Sequence, residues 1–220
     1  MRLLCISDIH GALRALVRIL SAEPPADVLI LAGDLTDFGT PRDASAVVKI
    51  ARDHSPQVLA VAGNCDSAEI DAWLAAEGIS VHARGLRLGG CAFCGLSAMP
   101  PWRGNMYEFP ESELDRSLAA GMAQVGGEQP LVLVSHAPPY DCGLDRSGAG
   151  AAVGSTSVRK WIEKVRPALV VCGHIHESGG IAKLGTSMVV NCAPGREGVY
   201  AVAELNGQAV KIELRRVRGV

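Results

Sequence analysis

The chain has 220 residues, 48% of them apolar, enough to bury a sizeable core in a single domain over residues 1–220 and too few for two full domains. Its 21 basic and 23 acidic residues leave a net charge of −2, which excludes the broad electropositive footprint of a general nucleic-acid or anionic-membrane binder. No apolar run is long enough to span a bilayer, and Leu3-Leu4-Cys5 lacks the apolar region of a lipoprotein signal, so a cytoplasmic protein is expected.

Arg2 to Ser7 reads as the first strand. Gly11 to about Ala22 follows, with Leu13, Leu16, Val17 and Leu20 at helical spacing, and Asp8 and His10 lie between the two. Pro24-Pro25 ends this helix, Asp27 to Leu31 supplies a second strand, and Gly33-Asp34 turns out of it. A helix from about Arg42 to His54 places Ala46, Val47 and Ile50 on its apolar face, with Pro41 at its start. Val58 to Val61 is the third strand, left by Gly63-Asn64-Cys65-Asp66, and Ser67 or Asp66 caps a helix to about Glu77. Such a βαβ rhythm predicts parallel strands with chemistry in the loops at their ends.

The pattern then shortens. Gly89-Gly90 reads as a hairpin turn between Leu86-Arg87-Leu88 and Cys91-Ala92-Phe93-Cys94, and Met99-Pro100-Pro101-Trp102 as an aperiodic loop able to reach a site. Glu111 to about Met122 is a predicted helix, and Leu131 to Val134 a buried strand that delivers His136. Ala137 to Gly154 is irregular and glycine-rich, and reads as a functional lip. Ser155 or Ser157 caps a helix to about Val165, ahead of a strand over Ala168 to Val171. From Gly180 to Val217, alternation predicts antiparallel strands with one wet face, so two sheets are expected rather than one.

Five strand ends therefore carry Asp8 and His10, Asp34, Asn64, His136, and His174 with His176. Carboxylate, carboxamide and imidazole together suit divalent ions of intermediate hardness, and one shared aspartate is enough to bridge a pair. A glycine-led turn at Gly173 lets two histidines that would diverge on a strand aim at one place. The seven cysteines are odd in number, sit mostly in apolar runs, and read as small buried hydrophobes in a reducing compartment.

Asp-x-His, Gly-Asp, Gly-Asn-x-Asp, a lone His after a strand and Gly-His-x-His, in this order from Asp8 to His176, resemble the calcineurin-like metallophosphoesterase superfamily. The Ser135 to Tyr140 loop and the Gly173 to Glu177 stretch look most like its small stand-alone prokaryotic members. The resemblance implies an α/β fold, a four-layer αββα sandwich of two mixed sheets flanked by helices, with a dinuclear site on one rim. It implies that Asp8, His10 and His176 hold one ion and that Asn64, His136 and His174 hold a second. Asp34 would bridge them, and a metal-bridging hydroxide would attack phosphorus in line. Manganese is the first expectation, and iron, nickel or zinc also suit the mixed donor set.

Two departures bear on the substrate. Many members have His where this chain has Cys65, in Gly-Asn-His-Asp, and there it helps protonate the leaving group; a thiol is a weak donor that cannot carry an imidazolium's charge. The arginine that protein phosphatases of the superfamily have after Gly-Asp is absent, Leu35-Thr36-Asp37 following instead, which removes a clamp for a dianionic monoester. The expectation is a phosphodiesterase acting on a small or nucleotide-like ester, ahead of a phosphomonoesterase or a nucleotide pyrophosphohydrolase. Asp34, Asn64, Cys65, Asp66 and His136 form the expected catalytic set, with Asp37 and Asp66 orienting metal-bound histidines. Arg103 and Arg146, on two irregular loops, are the expected substrate contacts.

Simpler readings compete. A metal-bound scaffold for protein partners is the non-enzymatic alternative, and the filled set of ligand positions counts against it. Cys65 could be an inert filler. His54 and His82 lack company and read as ordinary, while Cys91 and Cys94 lie within one predicted strand with no second pair, which favours packing over a metal or redox site. Gly148-Ala149-Gly150 lacks the lysine and hydroxyl order of a nucleotide-binding loop.

Overall fold

The early strands are apolar at every position after Arg2 because both of their faces are covered. In the computed structural model, which describes residues 1–218 apart from 103 and 128, β1 (Arg2–Ile6) turns Leu3 and Cys5 to one side and Leu4 and Ile6 to the other, all of them buried. Next in the chain come α1 (Leu13–Ser21), β2 (Val28–Ala32), α2 (Pro41–His54), β3 (Val58–Val61) and α3 (Ala68–Ala76). Then follow β4 (Gly85–Leu88), β5 (Cys91–Leu96), α4 (Glu111–Val125), β6 (Leu131–Ser135), α5 (Thr156–Val165) and β7 (Leu169–Cys172). The last strands are β8 (Gly180–Leu184), β9 (Ser187–Asn191), β10 (Val199–Asn206) and β11 (Ala209–Arg216).

Two mixed sheets result, ordered β11-β10-β1-β2-β3 and β4-β5-β6-β7-β9-β8. β1, β2 and β3 run parallel, as do β5, β6, β7 and β9, while β10, β11, β4 and β8 join antiparallel. Three apolar layers separate the elements. Leu16, Ile19, Val47, Val48 and Ile70 pack the first three helices on one sheet, and Leu114, Leu118, Val158 and Ile162 pack α4 and α5 on the other. Leu3, Ile30, Phe93, Val132 and Val171 fill the space between the sheets. This is the expected αββα sandwich, with helices on both outer faces.

Several local expectations shift. Val17, predicted on the apolar face of α1, is 47% exposed, and the buried stripe runs through Ala15, Leu16, Ile19 and Leu20. In α2 the stripe is Ala44, Val47, Val48 and Ala51, with Ala46 and Ile50 only half-buried. Both stripes keep helical spacing, and the sheet beneath selects which of two adjacent ones it covers. The wet face predicted for the tail holds only at the edges, where β8 and β11 alternate. β9 and β10 lie inside their sheets, and their apolar runs pack on both faces, Val189 and Val190 into the layers either side of the second sheet, Val202 and Ala201 into those either side of the first. Cys91 faces the layer between the sheets and Cys94 the layer under α4, which is the packing role expected of them.

Candidate metal centre

Strand ends from both sheets meet on one rim. Asp8 and His10 follow β1, Asp34 follows β2 and Asn64 follows β3, while His136 and the His174–His176 pair follow β6 and β7. The loops are tied to one another through their backbones: Asp8 donates to Gly33 at 3.0 Å, His10 to Asp34 at 2.9 Å, and Gly173 to His136 at 3.1 Å. These ties hold Asp8, His10, Asp34 and His174 at φ of 57°, 47°, 50° and 71°, a left-handed region costing about 1–3 kcal/mol per non-glycine residue. Gly63 and Gly173, predicted as turn glycines, are needed for space instead, since neither has a positive φ. A Cβ on Gly63 would run into the Asp34 carboxylate, and one on Gly173 into the Ser7 hydroxyl and the Asp8 carboxylate.

The side chains converge. His176 Nε2 lies 3.0 Å from Asp8 Oδ1, and His10 Nε2 lies 3.8 Å from the same oxygen and 3.6 Å from Asp34 Oδ2. The other Asp34 oxygen, Oδ1, is 3.6 Å from His136 Nε2, which is itself 2.8 Å from Asn64 Oδ1. Asp34 thus presents one oxygen to each half of the cluster. His174 donates its backbone N–H to Asp8 Oδ2 at 3.0 Å, and its ring centroid stands 5.2 Å from that of His136.

Two observations show that this donor set fits cations. His10 is 8% exposed at its side chain, yet neither of its buried ring nitrogens has a hydrogen-bond partner. His136 Nδ1 lies 3.0 Å from the Ala32 carbonyl; in the neutral tautomer that donates there, Nε2 turns a lone pair toward the Asn64 oxygen. Two acceptors 2.8 Å apart need a proton or a cation beside them, and neighbouring ligands about 2.1 Å from one ion would sit about 3 Å apart. Asp8–His10–His176, Asp8–Asp34–His136 and His10–Asp34–Cys65 each bring their donor atoms within 4.8 Å of one another.

The electrostatics are uneven. Burial pushes the Asp34 carboxyl up to about 7, helped by the charges of Asp8 and Asp66 against that of His136. Burial also opposes ionisation of Asp8, but its hydrogen bond with His176 and the charges of His136 and His176 hold it well below the usual carboxylate range. Burial pushes His174 down to about 3 and lowers His10, whereas the Asp34 and Asp8 carboxylates overcome burial to raise His136. Cys65 is 8% exposed; burial and the adjacent Asp34 push its thiol up, and Asn64 Nδ2 lies 3.3 Å from its sulfur.

Other expected residues behave differently. Asp66 was expected to orient a histidine, but its carboxylate accepts from the Leu35, Thr36 and Gly63 backbone N–H groups and from the Thr36 hydroxyl, and so locks the Asp34 loop to the Asn64 loop. The donors of two tight turns saturate it. Asp37 is exposed, with Oδ1 3.9 Å from His10 Nδ1. Arg146 pairs with Asp141 and reaches the Gly150 carbonyl at 3.4 Å, which fastens the lip to itself rather than presenting the guanidinium to the cavity beside the cluster. Arg103 lies outside the described residues.

Three contributors were not singled out from the sequence. Ser7 Oγ is 2.5 Å from Asp8 Oδ2 and braces it. Arg196 donates its backbone N–H to the Asp8 carbonyl at 3.0 Å, and its exposed guanidinium bears electrostatically on His10 and His176. Tyr107 donates its N–H to the Asn64 carbonyl at 3.0 Å and its hydroxyl to Asp71 at 2.9 Å. None belongs to a spaced motif, so only proximity reveals them. Clefts border the cluster, among them one of about 690 Å³ reaching His174 and His176, one of about 270 Å³ on the Arg215 side of His176, and one of about 260 Å³ beside Asn64 and the exposed Phe38.

A sandwich whose strand ends gather carboxylates and imidazoles on one rim defines a metal-binding α/β enzyme. The sequence pattern of the calcineurin-like phosphoesterases matches residues 1–178, and the chain belongs to that family. Protein MJ1162 of Methanocaldococcus jannaschii is 34% identical over 206 residues, 91% of each chain. Phosphodiesterase YfcE of Escherichia coli is 41% identical over 83 residues, 34% of this chain and 44% of that protein. TT1561 of Thermus thermophilus shares the fold across 99% of both chains, with a TM-score of 0.78 at 23% identity. The protein is accordingly a hydrolase of phosphate esters from a family that binds divalent metals. Among the described residues, no helix is long and apolar enough to cross a membrane.

Proposed function

We propose that the cluster is a dinuclear centre and that the enzyme is a phosphodiesterase of small or nucleotide-like esters. Asp8, His10 and His176 would hold one ion, Asn64, His136 and His174 the other, with Asp34 shared. The observation that carries this reading is His10: neither buried ring nitrogen has a hydrogen-bond partner, and Nε2 faces both Asp8 and Asp34. Manganese is the first choice of ion, with iron, nickel and zinc compatible with the same donors. Bound divalent ions supply Lewis acidity toward phosphoryl oxygens and a more acidic water. The chain's own residues do the positioning: the Ala32 carbonyl orients the His136 ring, and Ser7 and the His174 N–H fix the Asp8 carboxylate.

Preference for diesters rests on two features. Cys65 stands beside Asp34 where an imidazolium would serve as acid, and its thiol is a weak donor for a departing alkoxide. No arginine follows Asp34 to clamp a dianion. Esters with good leaving groups are the substrates such a site can turn over. The free, mostly buried cysteines support a reducing, cytoplasmic setting.

The test is hydrolysis of matched aryl phosphodiester and phosphomonoester by metal-stripped protein reloaded separately with manganese, nickel, zinc and magnesium. Diester cleavage that needs metal and is lost in Asp34→Asn is the expected result, with Cys65→His shifting activity toward the monoester. Dominant monoesterase activity in the parent would refute the diester assignment, and binding of fewer than two ions per chain would refute the dinuclear one.

A further inference from the structure

The larger cleft has a chemistry of its own. It measures about 690 Å³, within the range of small-molecule sites, and its floor is His174, Ile175 and His176, so whatever fills it lies against the cluster. Met99 to Trp102 form one wall and Ser147 to Val153 contribute the other, and these walls are mostly apolar. Trp102 is 61% exposed at the rim. Among the described residues that line the cleft, Glu177 is the one acidic group and no lysine or arginine is present.

Both walls are held before any ligand arrives. Glu108 accepts from the backbone N–H of Trp102 at 3.1 Å and of Gly104 at 2.8 Å. Across the cleft, Asp145 accepts from the N–H groups of Asp141 at 2.7 Å and Gly154 at 3.1 Å, and Ser147 donates to the Ala151 carbonyl at 2.9 Å. An apolar, pre-shaped cleft next to a phosphate-ester centre favours an uncharged ring, which gains by leaving water. Among the described residues of this lining, a second phosphate or carboxylate would meet the Glu177 carboxylate and no lysine or arginine.

We infer that this cleft binds an aromatic or bulky apolar arm of the ester, uncharged, with Trp102 packing on it. The inference rests on the phosphodiesterase reading of the neighbouring cluster and names the class of substrate within it: a diester with one large apolar alcohol. Nucleotides with several phosphates are disfavoured, whereas an uncharged base or aryl ring attached through one diester is accommodated.

The test uses the manganese-loaded full chain and three phosphodiesters that share a p-nitrophenolate leaving group, with methyl, phenyl or 4-carboxyphenyl as the second arm. Binding of diphenyl phosphate and dimethyl phosphate is measured alongside by calorimetry. Phenyl is expected to exceed methyl in kcat/KM by at least about tenfold, mostly through KM, and the added carboxylate to erase the gain. Diphenyl phosphate should bind at least about tenfold tighter than dimethyl phosphate. Trp102→Ala, which empties one wall, and Ala151→Trp, which fills the cleft, should each reduce both ratios to within about threefold. Equal handling of methyl and phenyl, or ratios indifferent to both variants, would overturn the inference while leaving the diesterase reading intact. Failure to cleave any of the three, with the binding ratio and its loss in Trp102→Ala preserved, would sink the diesterase reading and uphold the apolar cleft.

Discussion

Gly173 has no side chain because the Ser7 hydroxyl and the Asp8 carboxylate already occupy the place one would take. Its backbone passes directly behind a proposed metal ligand, so Gly173→Ala must push Asp8 out of line. We expect at least tenfold weaker manganese binding by calorimetry with the fold retained by circular dichroism; unchanged affinity would show that the loop relaxes freely. Residue types at this rim were legible in the chain because metal chemistry restricts them to a few donors. The partners of Asp66 were not, because the loops it joins meet only once β2 and β3 are paired. Likewise nothing in the spacing marked Ser7 or Arg196.

Helix ends show the same division at the next scale. A serine cap for α5 was legible as Ser155 or Ser157, and the structure selects Ser155, whose Oγ accepts from Val158 N–H at 3.2 Å. A second cap came from elsewhere: Glu111, at the start of α4, accepts from the Thr156 and Ser157 N–H groups at 2.8 and 2.9 Å and from the Ser155 hydroxyl at 2.9 Å. Burial opposes ionisation of Glu111, but these hydrogen bonds outweigh it and hold its carboxyl below the usual range. Glu111→Ala should cost about 1–3 kcal/mol in urea unfolding at neutral pH. Since the folded value is depressed, this contribution is complete above the ordinary glutamate range, near pH 4.3, and fades as pH falls through the folded value. The gap between parent and variant should therefore narrow in acid; a gap that is constant or widens below about pH 4 would contradict the assignment.

Across the molecule, the open edge of the first sheet is fastened at Glu23. Its side chain is 4% exposed and takes hydrogen bonds from Arg2 and Arg215 at 2.6 Å each and from Tyr200 at 2.8 Å, so that the segment after α1 is tied to β1, β10 and β11. The arginines keep part of their surface in water, which limits the penalty of losing their partner. Glu23→Ala should still lower the unfolding free energy by about 2–4 kcal/mol. Manganese affinity should be untouched, since this cluster lies apart from the rim; coupled loss of both would show that the tail helps shape the site.

The parallel βαβ opening, the later strands and the order of donor residues could be read directly, because hydrophobic period, turn residues and metal-binding side chains are local properties. Which helix stripe is buried, which tail strands lose their wet face, and which donor atoms meet depend on two sheets stacking so that five strand ends share one rim. Those are contacts between residues far apart in the chain, as His176 with Asp8 and Tyr200 with Glu23 illustrate, and no local pattern encodes their geometry. The apolar cleft is the clearest case: its two walls come from irregular loops whose composition suggested only that they reach a site, and packing alone made them face one another across His174 and His176.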